Sequence, residues 1–455
     1  MKEQRWLRII PVALIMYTIS YVDRTNVSLA LDPEKSTLFH DLGMNGQMKG
    51  ESAGIFFWGY LVMQIPGGYL ARHWSARKFI SLCLITWGIF AVGCGVIGTF
   101  RQFELMRFLL GVAESGVYPA TLVLLYHWFP RAERARATAY WNLCQPVAVV
   151  LATLVSVPML QWSGWNHLAS RALALVSLNW TGNWPGWKWT LVAEGLLPFL
   201  WLPIWWFFIR DHPREARWIS LEERDHLEAT LAREAANIEP AKKTPWLAHF
   251  ASRSVLAMIA LYFLHNCAAY GCMTFFSESL NGHGFGTMQF AFLFAFPYAV
   301  TALVMVLLSR HSDRKQERRM HVAFIYALSG VCLILSVLFR RNFYVSYAFM
   351  CLAIPGPFSG MAPFWANAGE CLPPAVMGAV VGLVNAFGNV GGYYGPKFVG
   401  WLSDHYPEGR SLGFVFLGIG MLGCTVLAFF LPKAAAIVPT PALHTRPIPS
   451  AESAE

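Results

Sequence analysis

The chain has 455 residues, of which 56% are apolar, 15% aromatic and only 13% charged, with a formal net charge of +9. An average soluble protein has about 25% charged residues, so this composition excludes an ordinary water-soluble fold and points to lipid as the outer solvent. The basic residues are scattered between apolar runs instead of gathering on one face, which excludes a nucleic-acid binder.

A bilayer core needs about 20 residues of helix. Twelve segments meet that length in chain order. The first six are 8–31, 52–71, 79–98, 102–127, 138–160 and 188–209; the second six are 253–276, 288–309, 320–339, 343–366, 377–400 and 411–431. Helices are expected because an open strand would leave backbone groups unsatisfied in lipid. The first segment has a basic start (Lys2, Arg5, Arg8) like a signal peptide, but its apolar part is too long and no small-residue cleavage site closes it, so it reads as a retained span. With an even number of spans both termini share one side. Most Lys and Arg fall on that side, so the positive-inside rule places both termini in the cytoplasm.

The expected domain organisation is a six-helix bundle over 1–210, a cytoplasmic linker over 211–249, a second six-helix bundle over 250–432, and a disordered cytoplasmic tail over 433–455 rich in Pro, Ala and Ser. Within the linker, "SLEERDHLEATLAREAA" (220–236) predicts a short helix at the membrane face, with Ser220 and Glu223 spaced as a capping box. The loop over 161–187 carries Trp162, Trp165, Trp180, Trp184 and Trp187, a density that suits interfacial anchoring. Asn179-Trp180-Thr181 matches a glycosylation sequon, relevant only to a eukaryotic secretory route. None of the nine cysteines forms a C-x-x-C pair, so they read as small apolar packing residues. The basic turns "GGYLARHWSARK" (67–78) and "SRHSDRKQERR" (309–319) fall at equivalent places in the two halves. Such internal symmetry marks many secondary transporters.

Charges inside spans are costly and usually face an interior cavity. Asp23 and Arg24 lie in the first span. Arg107 and Glu114 lie in the fourth, seven residues apart and so on one helix face. Two acids and two bases sum to zero and can neutralise one another. Buried pairs stabilise poorly, which favours a functional over a purely structural role. Glu194, in the sixth span, reads as structural. Tyr21, Tyr60, Asn142, Gln145, His265, Asn266, Tyr270, Asn367, Asn385 and Asn389 are polar groups that could complete a cavity, although a single Asn in a membrane helix more often joins helices.

"YVDRTNVSLA" (21–30) and "RFLLGVAESGVYPA" (107–120) resemble the first- and fourth-span signatures of the anion:cation symporter family of the major facilitator superfamily. "FFWGYLVMQIPGGYLA", "HWFPRAERARA", "GNWPGWKWTLVAEG", "DHPREARWISLEER", "SDRKQERR" and "GLVNAFGNVGGYYGP" extend the resemblance, in order, over about 8–430. The resemblance is to the branch that moves tartrate, phthalate and hexonates such as galactonate and rhamnonate. It implies an all-α membrane protein of the major facilitator fold, with twelve transmembrane helices in two six-helix bundles. It also implies alternating access and proton-coupled import of a small organic anion, with protons as the coupling ion and no other cofactor. The expectation is therefore a protein that is not an enzyme, works as a monomer and sits in the cell inner membrane. By motif match, Arg24 would hold a substrate carboxylate, with Tyr21, Tyr60, Gln145, Asn385 and Asn389 lining the cavity. Asp23 and Glu114 would be protonation sites and Arg107 would tune an acid. One departure is that Arg72-His73 replaces the usual Asp-Arg of the first-half turn, whereas the second half keeps Asp313-Arg314.

These charges suggest a switch. Arg24 pairs with Glu114 in the empty carrier and Arg107 with Asp23. An incoming anion takes Arg24, and the released carboxylate takes a proton. The hydroxyl and amide lining suits a hydroxy acid or sugar acid such as a hexonate or tartrate. Trp58, Trp141 and Trp365 keep an aromatic acid of phthalate type open, and an exporter of organic anions shares the fold. The absence of any H-E-x-x-H argues against an intramembrane enzyme of the metalloprotease kind.

Overall fold

The computed structural model describes residues 4–174, 182–236, 253–315, 317–371 and 374–431. The sequon at 179–181, the linker over 237–249 and the tail over 433–455 lie outside the described residues. Among those described, every regular element is helical.

Among the described residues, ten helices are long and apolar enough to cross a membrane: Gln4–Ala30, Pro66–Val96, Phe100–Trp128, Tyr140–Gln161, Gly186–Phe208, Arg253–Leu280, Thr287–Lys315, Arg319–Leu338, Phe343–Ala368 and Gly409–Ala428. They supply all of the expected spans except the second and eleventh. Those two are interrupted: Gly46–Val62 continues as Gln64–Leu70, and Pro374–Asn389 continues as Gly391–His405. We number the spans 1 to 12 in chain order.

The break in span 2, and similar breaks in spans 4, 5 and 10, have a backbone cause. A proline has no N–H to bond the carbonyl four residues back. Pro66, Pro119, Pro146, Pro357 and Pro363 withhold that bond from Val62, Ser115, Asn142, Ala353 and Ser359, and each of these is the last residue of its helical segment. The helices that begin at Gly46 and Ala76 are capped conventionally. Asn45 accepts from the Met48 N–H at 2.8 Å, and the Ser75 hydroxyl from the Lys78 N–H at 3.0 Å.

The two halves meet most closely along spans 2 and 11, and again where span 5 lies on span 8. Glycines make the first contact possible. A Cβ on Gly46 would lie 2.9 Å from the Gly400 carbonyl oxygen, one on Gly50 2.2 Å from that of Pro396, and one on Gly54 2.7 Å from the Tyr393 Cα. Call the end of the bundle where span 1 begins the near end, and its opposite the far end. All three contacts lie toward the far end. So do the buried Lys49–Glu278 ion pair, the 2.7 Å pair between Arg410 and Glu278, and the 2.8 Å bond from Asn281 to Asp32. Asp404 accepts from the Gly46 and Gln47 N–H groups, both at 2.7 Å, capping span 2 with span 11. Among the described residues, the hydrogen bonds and ion pairs between halves lie at mid-depth or toward the far end. The conformation is closed there.

At the near end, Leu221–Ala236 forms the linker helix. Only half of the expected capping box is made. Ser220 accepts from the Glu223 N–H at 3.2 Å, but the Glu223 carboxylate is taken by Arg5 at 2.8 Å instead of bonding back to Ser220. Arg5 also bonds Glu133, tying span 1, span 5 and the linker together. In the Trp-rich loop, Trp165–Ala174 adds a short helix. Trp187 is buried and donates to Asp41 at 2.8 Å, so this indole packs inside instead of anchoring at the interface.

Gly50→Val is expected to part the far end while leaving each half folded, seen as faster hydrogen exchange confined to 46–62 and 391–405. Gly59→Val is the contrast. Its side chain would meet the Phe108 carbonyl oxygen at 2.0 Å inside the first half, so it should lower the melting temperature of the detergent-purified protein through overpacking of about 1–3 kcal/mol.

Candidate functional site

The centre of the first half is built around Arg24. Its Nη2 donates to Glu114 Oε2 at 3.0 Å and its Nε to the same oxygen at 3.3 Å. The Ser20 hydroxyl donates to that oxygen at 2.7 Å. Arg24 is 5% exposed and Glu114 1%. Three rings surround the guanidinium: Tyr21 at 4.7 Å, Phe56 at 4.9 Å and Tyr60 at 5.0 Å from ring centre to Cζ. The cation is thus held by one carboxylate and three aromatic rings, which together offset part of its desolvation. Glu114 lies on the last turn before the break at Gly116, and its Oε1 has no hydrogen-bond partner.

Asp23 points elsewhere. Adjacent residues on a helix do not share a face, and its carboxylate accepts from the Trp87 indole of span 3. The expected Asp23–Arg107 pair is not formed. Arg107 faces span 2, where its Nε donates to the Ser52 carbonyl at 3.5 Å and its Cζ sits 5.1 Å from the Phe56 ring centre. Its Nη1 is buried without a partner. Arg24 and Arg107 flank Phe56 and line one small cavity with Ser28, Ala53, Phe57, Tyr270, Met273 and Thr274, with room for about one water molecule.

The remaining predicted lining divides. Tyr21 and Tyr60 are against Arg24. Asn385 and Asn389 form a chain across the halves: Asn389 donates to Asn385 at 3.2 Å, and Asn385 to Gln64 at 2.8 Å. Gln145 is on span 5 just past its break and donates to Asn142 at 3.5 Å. Neither group touches Arg24. Glu194 has both oxygens satisfied, by Asn26 and Ser156 at 2.6 Å each, which is the pattern of a structural group. His265 lies 3.3 Å from the Tyr326 hydroxyl and stacks on Tyr262. The three tryptophans considered for aromatic substrates pack on other rings: Trp58 on Tyr393, Trp141 on Tyr17 and Tyr118, Trp365 on Tyr262.

Sequence reasoning missed Ser20, Phe56, Gln64, Trp87 and Lys49. Ser20 was findable, four residues before Arg24 and so on its face. Gln64 was signalled by an amide inside an apolar run. Phe56 and Trp87 carry no local signal that separates them from lipid-facing aromatics. Among the described residues, no group of three or more His, Cys, Asp or Glu converges as a metal site would require.

The two charges differ in how they bear loss of the other. Arginine cannot deprotonate, whereas a carboxylate can take a proton. Glu114→Leu should therefore cost more stability than Arg24→Met, in the range of about 3–5 kcal/mol. The double variant should recover most of it. Thermal unfolding in detergent of the three variants checks this.

The Major Facilitator Superfamily profile matches residues 13–396. A quinolone resistance transporter of Acinetobacter baumannii is 30% identical over 433 residues, covering 93% of each chain. A putative tartrate transporter of Agrobacterium vitis is 30% identical over 416 residues, covering 91% of this chain and 90% of that one. Among solved structures, a bacterial homolog to the human lysosomal transporter Spinster, in an inward-facing and unoccupied conformation, aligns with a TM-score of 0.69 at 19% identity over 93% of this chain and 95% of that one. With this profile match, this fold and these relatives, the chain is a multi-pass membrane transporter, not an enzyme, and belongs to the Major Facilitator Superfamily.

Proposed function

We propose that the protein is a proton-coupled symporter that imports a small organic anion, a hydroxy acid or sugar acid of the tartrate or hexonate kind, across a bacterial inner membrane as a monomer. The observation that carries this reading is the Arg24–Glu114 pair, a permanent cation and a protonatable acid sharing one buried site. The relative named as a tartrate transporter supports the substrate class. The distribution of Lys and Arg supports a cytoplasmic near end, which makes the far-closed conformation inward-facing.

An anion that engages Arg24 displaces Glu114. The freed carboxylate, with Ser20 as its remaining partner, is then a buried charge without a counter-ion, and it takes a proton. Substrate and proton binding therefore favour each other, and the coupling is reciprocal. Asp23 is a second site whose ionic state is read by the Trp87 indole instead of by Arg107. Return to the far-open state requires breaking Lys49–Glu278 and parting spans 2 and 11. The same helices carry the Gln64–Asn385 bond, so a hydroxyl-rich substrate that takes over these amides would loosen the mid-depth contact as it binds. The relative named for quinolone resistance, with the three rings around Arg24, favours a second reading in which an aromatic organic acid is the cargo and export the direction.

Purified protein in liposomes with an imposed inward proton gradient separates these readings. Gradient-driven uptake of labelled tartrate, galactonate or rhamnonate is expected. It should fall at least tenfold in Glu114→Gln while counterflow exchange persists. Arg24→Lys should lose binding, because an ammonium cannot reproduce the planar fork. Transport of phthalate or a quinolone alone would favour the second reading. No flux and no binding for any acid would overturn both.

A further inference from the structure

The stretch "DHPREARWISLEER" is absorbed by nothing in the transport cycle, yet it is built into a rigid pocket at the near end. The Asp211 carboxylate accepts from the Arg77 N–H at 2.9 Å and from the Ser75 hydroxyl, so it supplies the carboxylate that Arg72-His73 lacks at this turn. The Trp128 indole donates to the Arg210 carbonyl at 2.8 Å, and Trp218 stacks on Trp128 with ring centres 5.1 Å apart and planes within 13°. Pro213 is buried. The loop is therefore docked on spans 3 and 4 before any ligand arrives, which lowers the ordering cost of binding.

Phe207, Arg210, Glu215, Arg217 and Trp218 line a cavity of about 590 Å³ there. Arg8 extends its basic rim, lying over the Trp218 ring at 5.7 Å. Among the described residues neither Arg8 nor Arg217 has a carboxylate within 4 Å, and both are exposed. Glu215 is the opposing charge, and its Oε2 is turned onto the Asp211 N–H at 3.3 Å. Arg210 is anchored by its Nη1 on the Trp206 and Ile209 carbonyls. The balance is positive. The pocket also opens onto a lipid-facing stripe. Leu200, Ile204 and Phe207 follow one another at helical spacing on span 6, with Leu200 69% and Phe207 71% exposed, and Phe208 ends the span.

We propose that this pocket binds the phosphate of an anionic phospholipid, with Arg8 and Arg217 on the headgroup and the acyl chains along Leu200, Ile204 and Phe207. The apolar stripe running into a basic pocket favours lipid over free phosphate, which has no use for it. The occupant would hold the linker, span 1 and span 6 together at the near end.

Native mass spectrometry of the detergent-purified full-length protein, titrated with phosphatidylglycerol and with phosphatidylcholine, tests this without any transport readout. Failure here is therefore separable from failure of the symport reading. One phosphatidylglycerol should bind at least tenfold more tightly than phosphatidylcholine. Arg8→Gln and Arg217→Gln should each weaken it about fivefold, the usual contribution of one basic residue near a bilayer surface. Arg101→Gln, on an exposed residue at the far end, should change nothing, and Arg217→Lys should retain most of the binding. Equal affinity for the two lipids would overturn the proposal, as would a phosphatidylglycerol preference that survives the Arg8→Gln/Arg217→Gln double variant. Displacement of the lipid by millimolar inorganic phosphate would overturn the lipid assignment in favour of a free-phosphate site.

Discussion

A guanidinium keeps its proton wherever it is placed, and in a membrane interior that makes Arg24 the group to which its surroundings must adapt. Glu114, Ser20 and three aromatic faces converge on it from spans 1, 2 and 4. Spans 2 and 4 come close enough to do so because Gly59 and Gly111 lack a Cβ there: one on Gly59 would meet the Phe108 carbonyl oxygen and one on Gly111 the Phe56 carbonyl oxygen, each at 2.0 Å. Pro119 then ends the helical segment of span 4 one residue after Glu114. The site is a consequence of one permanent charge, two glycines and one missing N–H.

The same economy shapes the contact between halves. Spans 2 and 11 carry Gly, Ser and charged residues where other spans carry Leu and Phe, because they face each other and not lipid. Close approach through small residues is how membrane helices pack when no hydrophobic driving force separates protein from lipid. The seal also contains buried charge, Lys49 with Glu278, which stabilises only as long as both partners stay together. A contact of this kind has two discrete arrangements, paired or apart, and suits a machine that alternates between closed and open ends. Arg107, a buried cation without a carboxylate, sits between this seal and Arg24.

The near end is organised differently. There the pairs are exposed or half-exposed, among them Arg134 with Glu234, and the aromatic groups stack in layers that end at the lipid boundary. Arg318, paired with Asp313, and Arg5 are buried arginines, and Arg5 joins the start of span 1 to two carboxylates from distant parts of the chain.

The sequence by itself determined the solvent, the helical class, most spans, the near-end helix after Ser220, and which charges lie within spans. Each of these depends on residue type and on neighbours within a few positions: transfer free energy, helical periodicity, a cap. Even the breaks in spans 2, 4, 5 and 10 were present in the positions of five prolines. Tertiary structure alone decided the partners. Asp23 meets Trp87 and not Arg107, Glu223 meets Arg5 and not Ser220, Asn385 meets Gln64 321 residues away. The physical reason is rotation. A span's composition says that it crosses the membrane, but the angle at which it faces its neighbours depends on how glycines and side chains from other spans fit against it, and a turn of one residue, about 100°, exchanges one partner for another.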